Sequence, residues 1–169
     1  TVRYEVDGGV ATITLASPET KNVLSAAMLA ELPQHFAAAA EDDAVRVIVL
    51  TGEGNTFCAG ADLSGASAAD ADSFAASGPG ALVRVLEAML DHPKPIVARV
   101  QGHVAGGGNG LVAASDLSVA VETAKFAFSE VRVGVAPAVI SVVCLARMNP
   151  NDARELLLTG ERVSAERVK

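Results

Sequence analysis

Residues 104–120 read VAGGGNGLVAASDLSVA: Gly106, Gly107 and Gly108 in a row, then Asn109 and Gly110, then a short apolar stretch of helical composition. The run follows KPIVARV (94–100), a β-branched segment that suits a buried strand, so the glycines stand where a strand gives way to a helix. VRVIVLTG (45–52) leads in the same manner into GEGNTFCAGADL (52–63). Backbone N–H groups freed at two such turns, with the positive end of a helix dipole added, suit negative charge, and two facing turns can hold one oxyanion. The same glycines also serve close packing or positive φ, and the segments alone leave both readings open.

Working outward, VRYEV, DGG and VATITL (2–15) read as a β-hairpin. Ser25 is placed to cap a helix whose apolar positions Leu24, Met28, Leu29, Leu32 and Phe36 recur at helical spacing, and Pro33 predicts a kink in it. The β-branched run 45–52 predicts a strand buried on both faces. Residues 64–81 are rich in Ala and Ser and broken by Gly78, Pro79 and Gly80, which predicts a mobile or loosely helical segment before an amphipathic helix over 81–91. DLSVAVE (116–122) and AKFAFSE (124–130) read as strands and AVISVVCLARM (138–148) as a buried helix. NPNDARELLLTG (149–160) reads as a helix with Pro150 near its start and Gly160 just past its end. The order β-β-α-β-α-β-α-β predicts an α/β fold.

The chain has 169 residues, half of them apolar, enough for one domain with a substantial core. Its net charge of -7 argues against nucleic acid as a partner, since phosphate neutralisation needs a basic surface. Cys58 and Cys144 lie far apart without zinc-type spacing, which predicts no metal and a reducing, cytoplasmic location. The longest apolar stretch, 133–146, is interrupted by Gly134 and Pro137 and falls short of the roughly 20 residues that span a bilayer. It reads as buried core, no membrane partner is expected, and the first residues carry no secretory pattern.

Known catalytic motifs are sparse. GGGNG lacks the G-x-G-x-x-G spacing, Asp116 follows too early for a ribose-binding acid, and no P-loop is present. Ser64, Ser115 and Ser129 stand outside G-x-S-x-G, and Cys58 has no neighbouring His in sequence. His35 falls on a helix face and His92 at a helix end, which leaves His103 as the histidine near the glycines. Glu130 lies between the apolar runs FAF and VRVGVAP. A carboxyl desolvated there has a raised pKa suited to proton transfer; the alternative is pairing with Arg132 or capping the next element.

NTFCAGADL (55–63), VQGHVAGGGNGLVAASDLSVA (100–120), AKFAFSEVRVGVAPA (124–138) and LLLTGERVSAE (157–166) occur in the order and spacing of the crotonase superfamily, the enoyl-CoA hydratase/isomerase family, which the chain therefore resembles over nearly its whole length. The resemblance implies a spiral of β-β-α units over residues 1–160, with 161–169 opening a C-terminal helical region that is incomplete here, and assembly as a homotrimer or hexamer. It implies an acyl-CoA thioester substrate in fatty-acyl metabolism, no separate cofactor, and an oxyanion hole from the N–H groups of Ala61 and Gly107. Lys21, Asn22 and Leu24 would run along the CoA moiety, Ala59, Ala61, Asp62 and Leu63 would lie near the adenine, and Leu82, Gly110 and Pro137 would shape the acyl pocket. The family's two-glutamate hydratases place one acid two residues after the glycines and a second in the FxxxE segment. Glu130 matches the second, whereas Gly110 stands at the first. The resemblance thus implies a 2-enoyl-CoA hydratase working with one matching acid; a Δ3-Δ2-enoyl-CoA isomerase and a non-catalytic acyl-CoA binder are the alternatives.

Overall fold

A computed structural model describes residues 1–62 and 71–169. The chain begins with the expected hairpin, β1 (Val2–Asp7) and β2 (Val10–Leu15), followed by α1 (Ala26–Glu41). Ser25 caps α1, its Oγ accepting from Met28 N at 3.2 Å, and Met28, Leu29, Leu32 and Phe36 form the buried face. The unit then repeats: β3 (Val47–Gly52), β4 (Thr56–Cys58) and α2 (Ala71–Leu90); β5 (Ile96–Val100), β6 (His103–Ala105) and α3 (Gly107–Ala114). A fourth unit comprises β7 (Leu117–Ala120), β8 (Lys125–Ala127), a 3-10 turn over Ser129–Val133 and α4 (Ala138–Cys144). A helix α5 (Pro150–Thr159) and a strand β9 (Arg162–Ser164) complete the chain.

Each repeat after the first splits its two strands between two sheets. One sheet has the order β1-β2-β3-β5-β7 and the other β4-β6-β8-β9, with parallel pairing from β2 to β7 and from β4 to β8. This is the α/β spiral of β-β-α units that the family resemblance implies. It stacks every strand-to-helix turn at the same end of its sheet, which brings the Gly60 and Gly106 turns together.

Four expectations need correcting. β3 buries Ile48 and Leu50 completely while Val47 and Val49 are half-buried, so it shows alternation rather than two equally buried faces. α2 begins at Ala71 rather than at 81, so the helical alternative holds for the described part of 64–81 while 64–70 lies outside the described residues; the buried positions Val85, Leu86 and Met89 anchor a helix long enough to carry Gly78, Pro79 and Gly80. The apolar run at 133–146 is only partly core: Ile140, Val143 and Cys144 are buried, but Val142 is 75% exposed. Hydrophobicity of a residue does not dictate burial, and a short run reads alike in either case. Where a helical region was expected to open, residues 162–164 pair antiparallel with β8 as strand β9. No helix among the described residues is long and apolar enough to cross a membrane.

Candidate active site

The first glycine turn is tied to the segment before α1. Leu24 N donates to Gly60 O at 2.8 Å and Ala59 N to Lys21 O at 3.0 Å, which zips residues 21–24 to 59–61. The peptide bonds among the described residues are trans, so the N–H of Ala61 points opposite to the Gly60 carbonyl, away from Leu24. Gly60 has φ +92, and a Cβ there would meet Ala105 O at 3.0 Å and Gly107 N at 3.4 Å. Only glycine permits both that conformation and that approach.

The second turn ends β6 and starts α3. Gly106 O accepts from Asn109 N at 2.9 Å and from Asn109 Nδ2 at 3.3 Å, and Asn109 Nδ2 also reaches Ala127 O at 2.8 Å. The Gly107 N–H, anti to that carbonyl, therefore projects from the N-terminus of α3, where the first amides of a helix lack intrahelical acceptors. Each glycine of the triplet accommodates a different neighbour. A Cβ on Gly106 would lie 3.3 Å from Glu130 Oε1, on Gly107 2.7 Å from Leu24 Cδ1, and on Gly108 2.8 Å from Cys58 Cβ.

Glu130 enters from the 3-10 turn that follows β8. Val135 N donates to its carbonyl at 3.0 Å, and its Oε2 is shielded from solvent without a hydrogen-bond partner. Burial pushes its carboxyl above the ordinary range, opposed by a hydrogen bond from its own backbone N–H. The expected alternative partner is engaged elsewhere, because Arg132 Nε donates to Gly160 O. The Gly60 and Gly106 turns touch beside a desolvated carboxyl, and backbone N–H groups grouped with such an acid are the parts of a site that holds an oxyanion and moves a proton.

The pocket residues are also brought together. Gly107 and Gly110 share one face of α3, one turn apart, and α2 lays Leu82 and Leu86 along it: a Cβ on Gly107 would meet Leu82 Cδ2 at 3.4 Å and one on Gly110 would meet Leu86 Cδ2 at 3.7 Å. Ile140 of α4 packs closer still, its Cγ2 2.7 Å from the position of a Cβ on Gly110. Pro137 caps the N-terminus of that helix and is half-buried. Sequence reasoning missed Leu86 and Ile140; the helical spacing of Leu86 from Leu82 was the available signal for the first, and nothing local marked the second.

Of the remaining expected residues, Lys21 is exposed and Ala59 and Asp62 are half-buried, while Leu63 lies outside the described residues. Asn22 is fully buried, so its side chain shapes the loop and does not face a ligand. Its Oδ1 accepts from Ser17 N at 2.9 Å, and its Nδ2 donates to Glu53 O at 2.9 Å and Thr56 O at 2.8 Å. Asn22→Ala takes the partner from Ser17 N and Glu53 O at roughly 1–3 kcal/mol each, while Thr56 O keeps the bond from Gln101 Nε2 at 3.1 Å, and a fall of several degrees in Tm, measured by thermal melting, is the expected result. His103 is exposed, with Nδ1 accepting from Lys125 N, and His35 stacks on Tyr4 at 5.5 Å between ring centroids; neither joins the site. Burial pushes the Cys58 thiol up to about 12, which disqualifies it as a nucleophile near neutral pH. No cluster of metal-ligating side chains occurs among the described residues.

Residues 5–169 match the family model described as enoyl-CoA hydratase/isomerase. The chain belongs to the enoyl-CoA hydratase/isomerase family. A Thermus thermophilus protein that carries the name enoyl-CoA hydratase is 37% identical over 170 residues, which cover 96% of this chain and 65% of that one. The trans-2-decenoyl-[acyl-carrier-protein] isomerase of Streptococcus mutans is 33% identical over 175 residues, covering 98% of this chain and 65% of the relative. The crystal structure of an enoyl-CoA hydratase from Mycobacterium avium superposes with a TM-score of 0.89 at 39% identity, covering 98% of this chain and 65% of that chain. The chain thus spans just under two thirds of the length of these relatives.

Proposed function

We propose that the chain forms the active-site portion of an enoyl-CoA hydratase, adding water across the double bond of a 2-enoyl-CoA thioester. The observation that carries this reading is the carboxyl of Glu130, buried against the Gly106 turn with Oε2 unpartnered. The thioester oxygen is held by the Ala61 and Gly107 N–H groups, each contributing about 3 kcal/mol to the enolate-like transition state. The protonated Glu130 delivers its proton to Cα while the hydroxyl of a water adds at Cβ. The second proton of that water returns to the carboxyl, so one acid is regenerated each cycle. Lys21, Leu24, Ala59 and Asp62 border the path of the CoA moiety, Asn22 holds the loop that carries Lys21, and Leu82, Gly110 and Pro137 border the acyl group. No cofactor or metal is required for this chemistry, and the reading includes a homotrimer or hexamer in the cytoplasm.

Isomerisation is the second reading. It is favoured by one observation, the filling of the first-acid position by Ile140 and Leu86, since a lone carboxyl suffices to carry a proton between two carbons. The test is absorbance of the conjugated thioester, followed with crotonyl-CoA, a branched 2-enoyl-CoA and a 3-enoyl-CoA. Loss of absorbance with either of the first two is the expected outcome. Inertness towards both, with absorbance appearing from the 3-enoyl-CoA, overturns hydration in favour of isomerisation.

A further inference from the structure

The LLLTGERVSAE segment lies outside the oxyanion hole and the acyl pocket, yet it is bound to the arm that carries Glu130 at two places. β9 pairs with β8, setting Ala127 opposite Arg162 and Phe126 opposite Val163, immediately before the 3-10 turn. On the far side of Glu130, Arg132 Nε donates to Gly160 O at 2.8 Å. Gly160 ends α5 with φ +60, its N–H returning to Leu156 O at 3.0 Å. Helix capping accounts for that conformation. Capping leaves two things unexplained: the Gly160 carbonyl is turned onto a guanidinium, and its Cα is wedged under the turn. A Cβ there would meet Val131 Cγ1 at 2.7 Å, Phe128 O at 3.1 Å and Arg132 Cγ at 3.3 Å.

We infer that Arg132 and Gly160 are positioning residues for Glu130: the turn after α5 clamps residues 128–132 from below, so that the carboxyl stays against the Gly106 turn and out of water. Glu130 is the residue between Phe128 and Arg132 that the 3-10 turn directs inward, so slack on either side of it lets the carboxyl swing towards solvent. The charge on Arg132 is directed at a carbonyl and acts by fixing the turn. Cys144 of α4 senses Glu130: its thiol is pushed up to about 12 by burial and then by the Glu130 charge.

This inference rests on the catalytic reading of Glu130, and two measurements separate their failures. In steady-state assays with crotonyl-CoA, Arg132→Met is expected to lower kcat by about 10- to 100-fold, the scale of a misplacement near 1 Å, while KM stays within about two-fold. Arg132→Lys, which can still donate to the Gly160 carbonyl, is expected to recover most of the loss. In 13C NMR titration of carboxyl-labelled glutamate, with the Glu130 signal identified by its loss in Glu130→Gln, the Glu130 pKa is expected to fall towards the ordinary value in Arg132→Met as the carboxyl gains water. An unchanged Glu130 titration in Arg132→Met overturns the clamp whatever the enzyme turns over. A clear shift in a protein inert towards both crotonyl-CoA and the branched 2-enoyl-CoA upholds the clamp and removes the hydratase reading instead. If Arg132→Met does not fold, Gly160→Ala with Val131→Ala, which relieves the contact with Val131 while the new methyl still presses on Phe128 O at 3.1 Å and Arg132 Cγ at 3.3 Å, is read in the same two ways.

Discussion

Glu130→Gln is expected to lower kcat for crotonyl-CoA by about 10²- to 10⁴-fold, the usual contribution of a general acid or base, with acyl-CoA affinity almost unchanged. Affinity is expected to be insensitive because, in the proposed hydratase, backbone groups of Ala61 and Gly107 hold the thioester oxygen, and neither depends on the carboxyl. Equal turnover in variant and wild type removes Glu130 from the chemistry. The pH dependence has a definite sign. In the proposed hydratase protonated Glu130 is the proton donor, and burial raises its pKa, so wild-type kcat is expected to decline as pH rises through that raised value. Linkage adds a stability counterpart. Because the folded pKa lies above the unfolded one, stability from the neutral carboxyl is fully present below the ordinary carboxylate range and is lost as pH rises through the folded value. Glu130→Gln keeps the neutral form at every pH, so its Tm at pH 8 is expected to equal or exceed that of wild type.

Gly110→Glu tests the missing first acid, and the structure changes what the single substitution should do. A Cβ at 110 would stand 2.7 Å from Ile140 Cγ2 and 3.3 Å from Ile140 Cβ, against a β-branched side chain that is almost wholly buried. Such overpacking typically costs about 1–3 kcal/mol, or several degrees in Tm. The single variant is therefore expected to be destabilised without gaining activity. Gly110→Glu with Ile140→Ala removes the methyl in the way, and relative to Ile140→Ala alone its kcat for hydration is expected to rise by about 10²-fold, as a second acid takes over the water. A folded double variant with no gain would mean that water is already positioned well without a second carboxyl.

The sequence made legible whatever is local and periodic. The hairpin, the Ser25 cap and the strand-to-helix turns follow from alternation, helical spacing and glycine placement, whereas the repeated β-β-α unit is implied only by the family resemblance, because the three-residue strands β4 and β6 lie in stretches that read as glycine-rich loops. Glu130 was legible because a carboxyl between two apolar runs is unusual. Illegible were the contacts that join distant elements. Ile140 fills the space beside Gly110 only because α4 folds onto α3, and the bond from Arg132 to Gly160 spans 28 positions. The family resemblance places Asn22 along the ligand, and only its three backbone partners reveal that it holds that loop together. The extension of α2 through Gly78–Gly80 was likewise hidden, since propensity at those residues opposes what the buried face of the helix imposes.

The anti arrangement of the Gly60 carbonyl and the Ala61 N–H bears on how this site can change through mutation. The donor is carried by the peptide unit, and the orientation of that unit is set by Leu24 N at the other end of its dipole. Nineteen of the twenty amino acids at position 61 would supply the same N–H; proline alone would delete it. Ordinary substitution at the donor's own residue number is thus nearly silent for its hydrogen-bonding capacity, while a single methyl group at position 60 forces the two turns apart. Mutational vulnerability of this site is displaced by one residue from its chemistry, onto a glycine that donates nothing to the substrate.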